Sequence, residues 1–518
     1  MTNHDYVIIG AGSAGCVLAA RLSEDPTCRV LLLEAGGADR AKEIKIPAAF
    51  PKLFKTKHDW NYSTAPESTL ANRELFWPRA KMIGGCSSMN AQMYVRGSAA
   101  DYNLWEDLGN RGWGWDDVEP YFRRAEATLH IEPLRDPNVT THAFLRAAAE
   151  VGIPTLDDVN GPTQEGAAHT RVNQRRGRRW SAADAYLRPA MRRKNLTVLT
   201  DVHVTRIVIE RGRATGVEYL HAGASARASC REVIASSGAI NSPQLLMLSG
   251  IGPARDLRAH GVEVVHELDG VGQHLQDHLA FGVIATCREP VTLAAAETLP
   301  NLLRFLVLGR GMLTSNVGEA CAFVRSQAEL AAPDLELIFA PIPFAGHGLG
   351  PMHHALTIGV VLQQPKSLGR VELASRDPRV APRIIANYLS DPDGADLRAM
   401  VRGVELARRI FRAPALSRYA GDEEVPGPGR TIEDALRERS ETLYHPVGTC
   451  RMGSDARAVV DADLRVCGLE GLRVVDASVI PQIIRGHTHA PVVMLAERAA
   501  DLIRGRIAAG TLPGRRSA

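Results

Sequence analysis

Aromatic residues are scarce in this chain: Phe, Trp and Tyr make up 5% of its 518 residues. Low-complexity tracts are absent. No apolar run reaches the roughly 20 residues that a membrane-spanning helix needs, so no membrane span is expected. Neither sign of charge dominates, with 61 Lys and Arg against 58 Asp and Glu and a formal charge of +3. The short clusters "RRGRR" (175–179) and "MRRKN" (191–195) read as solvated loop or helix-end charge, not as a nucleic-acid footprint. The eight cysteines, at 16, 28, 86, 230, 287, 321, 450 and 467, form no CxxC pair. Their scatter argues against a zinc site or a disulfide framework and fits reduced, buried thiols. A strand-like "YVIIG" begins at residue 6 and leaves no room before it for a signal peptide. A soluble cytoplasmic protein is expected.

What is present is more specific. The length exceeds what one simple core accommodates, so two domains, possibly interleaved, are expected. "DYVIIGAGSAGCVLAARLSED" runs from a β-branched strand through Gly10-x-Gly12-x-x-Gly15 into an Ala- and Leu-rich helix. A second strand, "RVLLLEAG", ends in Glu34, 19 residues after Gly15. Glycines here permit a tight turn and close approach to a pyrophosphate, the helix N-terminus supplies N–H groups, and the acid meets ribose hydroxyls. An acid at position 34 argues for FAD or NAD over NADP. A second Gly- and Ser-rich segment, "RAKMIGGCSSMNAQMYVRG" (79–97), is placed to wrap another part of a long cofactor; read alone, it is also compatible with an ordinary connector.

These segments, together with "SGAINSPQLLMLSGIGP" (237–253), "GVGQHLQDH" (270–278), "YHPVGTCRMG" (444–453) and "GLRVVDASVIPQIIRGHTHAPVVMLAERAADLI" (471–503), occur in the order seen in one family. The chain resembles the glucose–methanol–choline (GMC) flavin oxidoreductases over nearly its full length, with a look of their choline- and alcohol-dehydrogenase-like members. The resemblance implies an α/β fold, a Rossmann-like FAD domain interleaved with an α+β substrate domain on an antiparallel sheet. The expected FAD domain spans 1–155, 190–285 and 440–510, and the substrate domain 156–189 and 286–439. The resemblance also implies FAD as cofactor and an alcohol, a primary one, as the small-molecule substrate. Oxygen or a quinone-like acceptor takes the electrons, and the oligomeric state stays open.

Residue by residue, the resemblance assigns Gly10, Gly12, Ser13, Ala14, Gly15, Glu34 and Ala35 to the ADP half. It assigns Gly85, Asn90, Ala91, Gln92 and Met93 to the flavin ring, Val204 to the adenine, and Asp476 with Ala477 to the pyrophosphate and ribityl chain. Some choline-oxidising relatives carry a flavin-linking histidine after "GGCSS"; here that position is Met89, so FAD is expected without a covalent bond. Alcohol oxidation needs a group to take the hydroxyl proton, and histidine titrates in the right range. Aligned with N-x-N-A-P motifs, His445 and His489 are the expected catalytic pair, and His487 a turn or flavin-side residue. A metal bound by the His-x-His pair is disfavoured, because no acid or cysteine cluster accompanies it. Glu319 falls near a position that meets an ammonium in choline oxidisers, but small aliphatic neighbours suggest a structural role. A family-fold hydroxynitrile lyase, a choline dehydrogenase proper, and a flavin-binding protein without activity are the alternatives.

Overall fold

In the run His4–Ile9, residues Tyr6 to Ile9 are all buried. An unbroken apolar stretch of this kind suits a strand covered on both faces by parallel neighbours. In the computed structural model, which describes residues 4–506, this strand pairs in parallel with Val30–Leu33 and Ala224–Ala235. Leu196–Leu199 and Leu472–Val474 add further parallel pairings, and the antiparallel pair Val202–Glu210 and Arg213–His221 completes seven strands. The expected bounds at 1–3 and 507–510 lie outside the described residues.

The helix Ser13–Leu22, SAGCVLAARL, buries eight of its ten residues. A helix that is apolar on every side must be covered on every side, and its small residues let it lie between the sheet and the helix His489–Ile503. The buried Glu497 of that last helix receives the Arg21 guanidinium through two hydrogen bonds of 2.9 and 2.8 Å, and the Tyr186 hydroxyl at 2.8 Å. Arg124 lies 2.8 Å from the same carboxylate, which thus ties together four segments distant in sequence.

The second sheet is antiparallel, in the order Ala320–Val324, Leu335–Ala340, Ala355–Leu362, Leu279–Cys287 and Ala420–Val425, with Glu441–Thr442 pairing the start of Leu279–Cys287. Its side chains obey the two-residue period of strands. Leu356, Ile358 and Val360 enter a core shared with the helices Val139–Glu150 and Ala395–Arg412, while Thr357, Gly359 and Val361 face a large cavity. Two expected boundaries shift as a result. The segment 279–285, expected in the FAD domain, is central to the antiparallel sheet, and helix 139–150 covers that sheet. The physical reason is that both elements carry apolar side chains that only this core buries.

Replacing Glu497 by Ala leaves Arg21 with Glu24 alone and Arg124 with Asp501 alone, and strands the Tyr186 hydroxyl beside a buried hole. It should lower stability by about 3–5 kcal/mol, the usual cost of breaking a buried ion pair, measured by urea unfolding of the holoenzyme. A loss below about 1 kcal/mol, the level of a surface pair, refutes this view of the helix junction.

Candidate active site

A cavity of about 640 Å³ runs between the two sheets. At one end it is lined by Gly10, Gly12, Ser13, Ala14, Glu34, Ala35 and Val204, and further along by Asp476 and Ala477. Gly85, Asn90, Ala91, Gln92 and Met93 line its middle, and His445, His487 and His489 also face it. Every sequence-assigned cofactor residue lies on this wall except Gly15. A side chain there would press a Cβ to 1.9 Å from the Gly10 carbonyl oxygen, so Gly15 serves close helix–turn packing instead. Gly12 differs: an added Cβ meets no protein atom within 4 Å and stands in the cavity.

The dinucleotide end is built from backbone donors. Glu34 accepts from the amides of Ala11 (2.7 Å) and Gly36 (2.8 Å), and burial raises its pKa to about 7. Asp476 accepts from Gly238 N (2.9 Å), Ser242 Oγ (2.6 Å), Ser478 N (2.8 Å) and Ser478 Oγ (2.5 Å). Four donors saturate a carboxylate, so Asp476 shapes the loop around Ala477, where the sequence suggested contact with ribityl hydroxyls. Gln92 is fully buried with neither end of its amide hydrogen-bonded by the protein. A buried amide without partners is costly, so this stretch of wall suits a polar ligand such as a flavin ring. Met89 lies on the same wall and has no nucleophilic or linking group.

At the reacting end the structure corrects the sequence reading. The ring beside His445 is His487, with centroids 4.9 Å apart in edge-to-face geometry. His489 instead places Nδ1 3.0 Å from Ser13 Oγ, at the start of the fingerprint helix. The cause is where the helix begins: His489 is the first residue of His489–Ile503, so its ring follows that helix toward the fingerprint, while His487 still belongs to the preceding loop. His489 is pushed down to about 4 by burial and then by Arg179.

Residues given no role in the sequence reading complete the site. His487 Nε2 lies 3.0 Å from Glu336 Oε1, Gln363 Nε2 donates to Glu336 Oε2 (2.8 Å), and Gly486 N donates to Gln363 Oε1 (2.6 Å). His445 N donates to Asp277 Oδ1 (2.6 Å), and its Nδ1 lies 2.9 Å from His278 Nδ1. Arg179, fully buried, donates to Ile44 O, Ser87 O and Asn90 Oδ1 and fixes the glycine–serine loop from behind. A signal for Glu336 existed: it is the one charged residue in the buried strand LELIFA, on the cavity-facing side of the alternation. Glu319 is interior and off the cavity wall, accepting from Asn138 N, Thr141 Oγ and Ser315 Oγ, each at 2.6 Å.

Family models described as GMC oxidoreductase match residues 4–280 and 365–496. An uncharacterized GMC-type oxidoreductase of Mycobacterium bovis is 49% identical, covering 97% of this chain and 99% of the relative. An alcohol dehydrogenase [acceptor] of Pseudomonas putida is 42% identical over 96% of this chain and 95% of its own. Among solved structures, pyridoxine 4-oxidase from Mesorbium loti superposes with a TM-score of 0.87 at 33% identity, covering 97% and 99% of the two chains. A formate oxidase does so at 0.89 and 28%, covering 98% of each.

Gly12→Val tests the cofactor wall directly. The backbone there is extended, and the branched side chain enters only the cavity. The variant should fold with an unchanged circular dichroism spectrum yet purify with little or no FAD. Full flavin occupancy refutes the placement.

Proposed function

The chain belongs to the GMC oxidoreductase family and is an FAD-dependent oxidoreductase, and we propose that it oxidises an alcohol, a primary one, to the carbonyl compound with His445 as base. Gly10, Gly12, Ser13, Ala14 and Glu34 would hold the ADP half, and Gly85 with Asn90–Met93 the flavin. FAD held there would supply the hydride acceptor, with oxygen or a quinone-like compound as the terminal acceptor.

The observation that carries this reading is a run of contacts, from the Gln363 carbonyl through His278 to His445, that selects the imidazole tautomers. The carbonyl of Gln363 only accepts, so His278 Nε2, 3.2 Å away, carries the proton. Burial lowers the His278 pKa to about 3, which keeps that ring neutral and leaves Nδ1 as an acceptor. His445 must then donate from Nδ1, 2.9 Å away, and its Nε2 is left with a lone pair. That nitrogen takes the hydroxyl proton. His487, whose Nε2 is occupied by Glu336, is held with its ring edge against His445 and bounds the place of the hydroxyl. Small cavity-facing residues of the sheet, Ala280, Gly282 and Gly359, leave room for the substrate. With Glu319 off the wall, a cationic alcohol gains nothing from that carboxylate.

Replacing His445 by Ala should slow anaerobic flavin reduction by roughly 10²–10⁴-fold, the span for a general base. His487→Ala should cost more rate than His489→Ala, which should instead weaken FAD retention through the lost Ser13 contact. Stopped-flow reduction at saturating alcohol separates them, and a greater rate loss in His489→Ala rejects the assignment.

The pH profile provides a second check. Burial, with His487, His278 and Arg79 nearby, holds His445 well below the ordinary 6.5. The base is the neutral form, so a lowered pKa keeps it present as pH falls through 6.5. The limiting reduction rate should therefore decline only on the acid side of that value. An acid limb centred at 6.5 or higher contradicts the reading.

Non-covalent binding follows from Met89. Acid precipitation should release a yellow supernatant with the mass of free FAD, and flavin held in the pellet would disprove it.

A further inference from the structure

The helix Leu299–Leu308, LPNLLRFLVL, presents its apolar side outward. Only Phe305 is buried, whereas Leu299 is 68% and Val307 77% exposed, with Leu303, Leu306 and Leu308 also exposed. Leu299, Leu303, Leu306 and Val307 fall on one side by helical spacing. Exposed apolar surface of this extent marks an interaction face.

The basic cluster "RRGRR" lies against it. Gly177, in the turn of that cluster, sits so near Gly309 that an added Cβ would come within 2.4 Å of the Gly309 carbonyl oxygen. Arg178 donates to Leu306 O (3.4 Å), and its guanidinium lies 5.4 Å from the centre of the Phe305 ring. Arg175, Arg176, Arg178 and Arg304 are exposed and, among the described residues, have no acidic partner within 4.0 Å. The nearby acids are occupied: Asp136 pairs with Arg310 at 3.0 Å, and Glu297 with Lys52 at 2.6 Å.

We propose that this face docks on an anionic lipid membrane. The helix lies in the interface, with its leucines and valine at the acyl boundary and the free arginines on headgroup phosphates. Among the described residues no helix is long and apolar enough to cross a membrane, so the contact is peripheral. A second copy of the chain fits less well, because a two-fold contact brings the same unpaired arginines toward one another. The inner side of the helix, Leu302 and Phe305, packs into the cluster holding Phe50 and Phe344, which line the cavity. Docking therefore sets the aromatic wall of the active site toward the phase that dissolves an apolar alcohol or a quinone-like acceptor. The surface does not depend on the catalytic assignment.

The test is sedimentation of the holoenzyme with vesicles of phosphatidylcholine plus phosphatidylglycerol, and with phosphatidylcholine alone, alongside its mass in solution. The wild type should bind the anionic vesicles, and less so as salt rises. Leu303→Asp with Val307→Asp, and separately Arg176→Glu with Arg178→Glu, should each lower the apparent affinity by about ten-fold or more. Flavin content and the rate with a water-soluble alcohol should stay as in the wild type, which shows that both variants are folded. No binding of the wild type to anionic vesicles, or equal binding by the variants, overturns the proposal. So does a wild-type dimer that the Leu303→Asp with Val307→Asp variant converts to a monomer, since the face then belongs to a second copy.

Discussion

Three consecutive residues, Gln276, Asp277 and His278, hold the reacting end of the molecule together. All are buried, and each satisfies a different segment. Gln276 Oε1 accepts from Ile483 N (3.0 Å), Asp277 accepts from His445 N, and His278 meets the His445 ring. Asp277 also takes the hydroxyls of Thr442 (2.6 Å) and Tyr388. Buried polar groups are costly unless paired, so the "YHPVGT" loop and the terminal "IIRGHTH" loop can each close in only one way around this tripeptide. It stands where the chain enters the central strand of the antiparallel sheet. The junction of the two sheets and the catalytic site are therefore one structure.

The same enclosure acts with opposite sign on acids and bases. Desolvation disfavours charge, so it raises Glu34 to about 7 and Asp277 to about 6 and lowers His278 to about 3 and His489 to about 4. At neutral pH His278, His445 and His489 are therefore uncharged, the state in which an imidazole can accept a proton. At the dinucleotide end, backbone amides hold Glu34 and Asp476 in place, and they need no particular ionisation. This division lets a single dry cavity serve both a cofactor and a base.

Much of this was legible in the sequence because the cofactor wall is local. A turn, a helix start and an acid at fixed spacing place Gly10, Gly12, Ser13 and Glu34 together whatever follows. The reacting end is not local. Whether His487 or His489 meets His445 depends on the residue at which helix 489–503 starts, and Pro491 allows a helix to begin just before it. Gln363 and Glu336 reach the site only through the register of strands that pair across long separations, which no local pattern encodes. Gly15 stands off the wall for a related reason: a glycine of the fingerprint can serve packing as well as ligand approach.

Composition misled in one further respect. Aromatics at 5% of the chain argued against an aromatic site around Glu319, and Glu319 is indeed structural. Yet Phe50, Phe54, Trp60, Phe344 and Tyr444 all line the cavity. Phe54 contacts Phe50, Phe76 and Tyr444 with centroids 5.9–6.2 Å apart, an arrangement that adds to area burial. A scarce residue type can still be concentrated where it acts. The wall facing the two histidines is thus rich in rings on one side and built of Ala280, Gly282 and Gly359 on another. The exposed apolar helix 299–308 backs onto that aromatic cluster, so the aromatic side of the cavity and this exposed apolar surface are two faces of one layer.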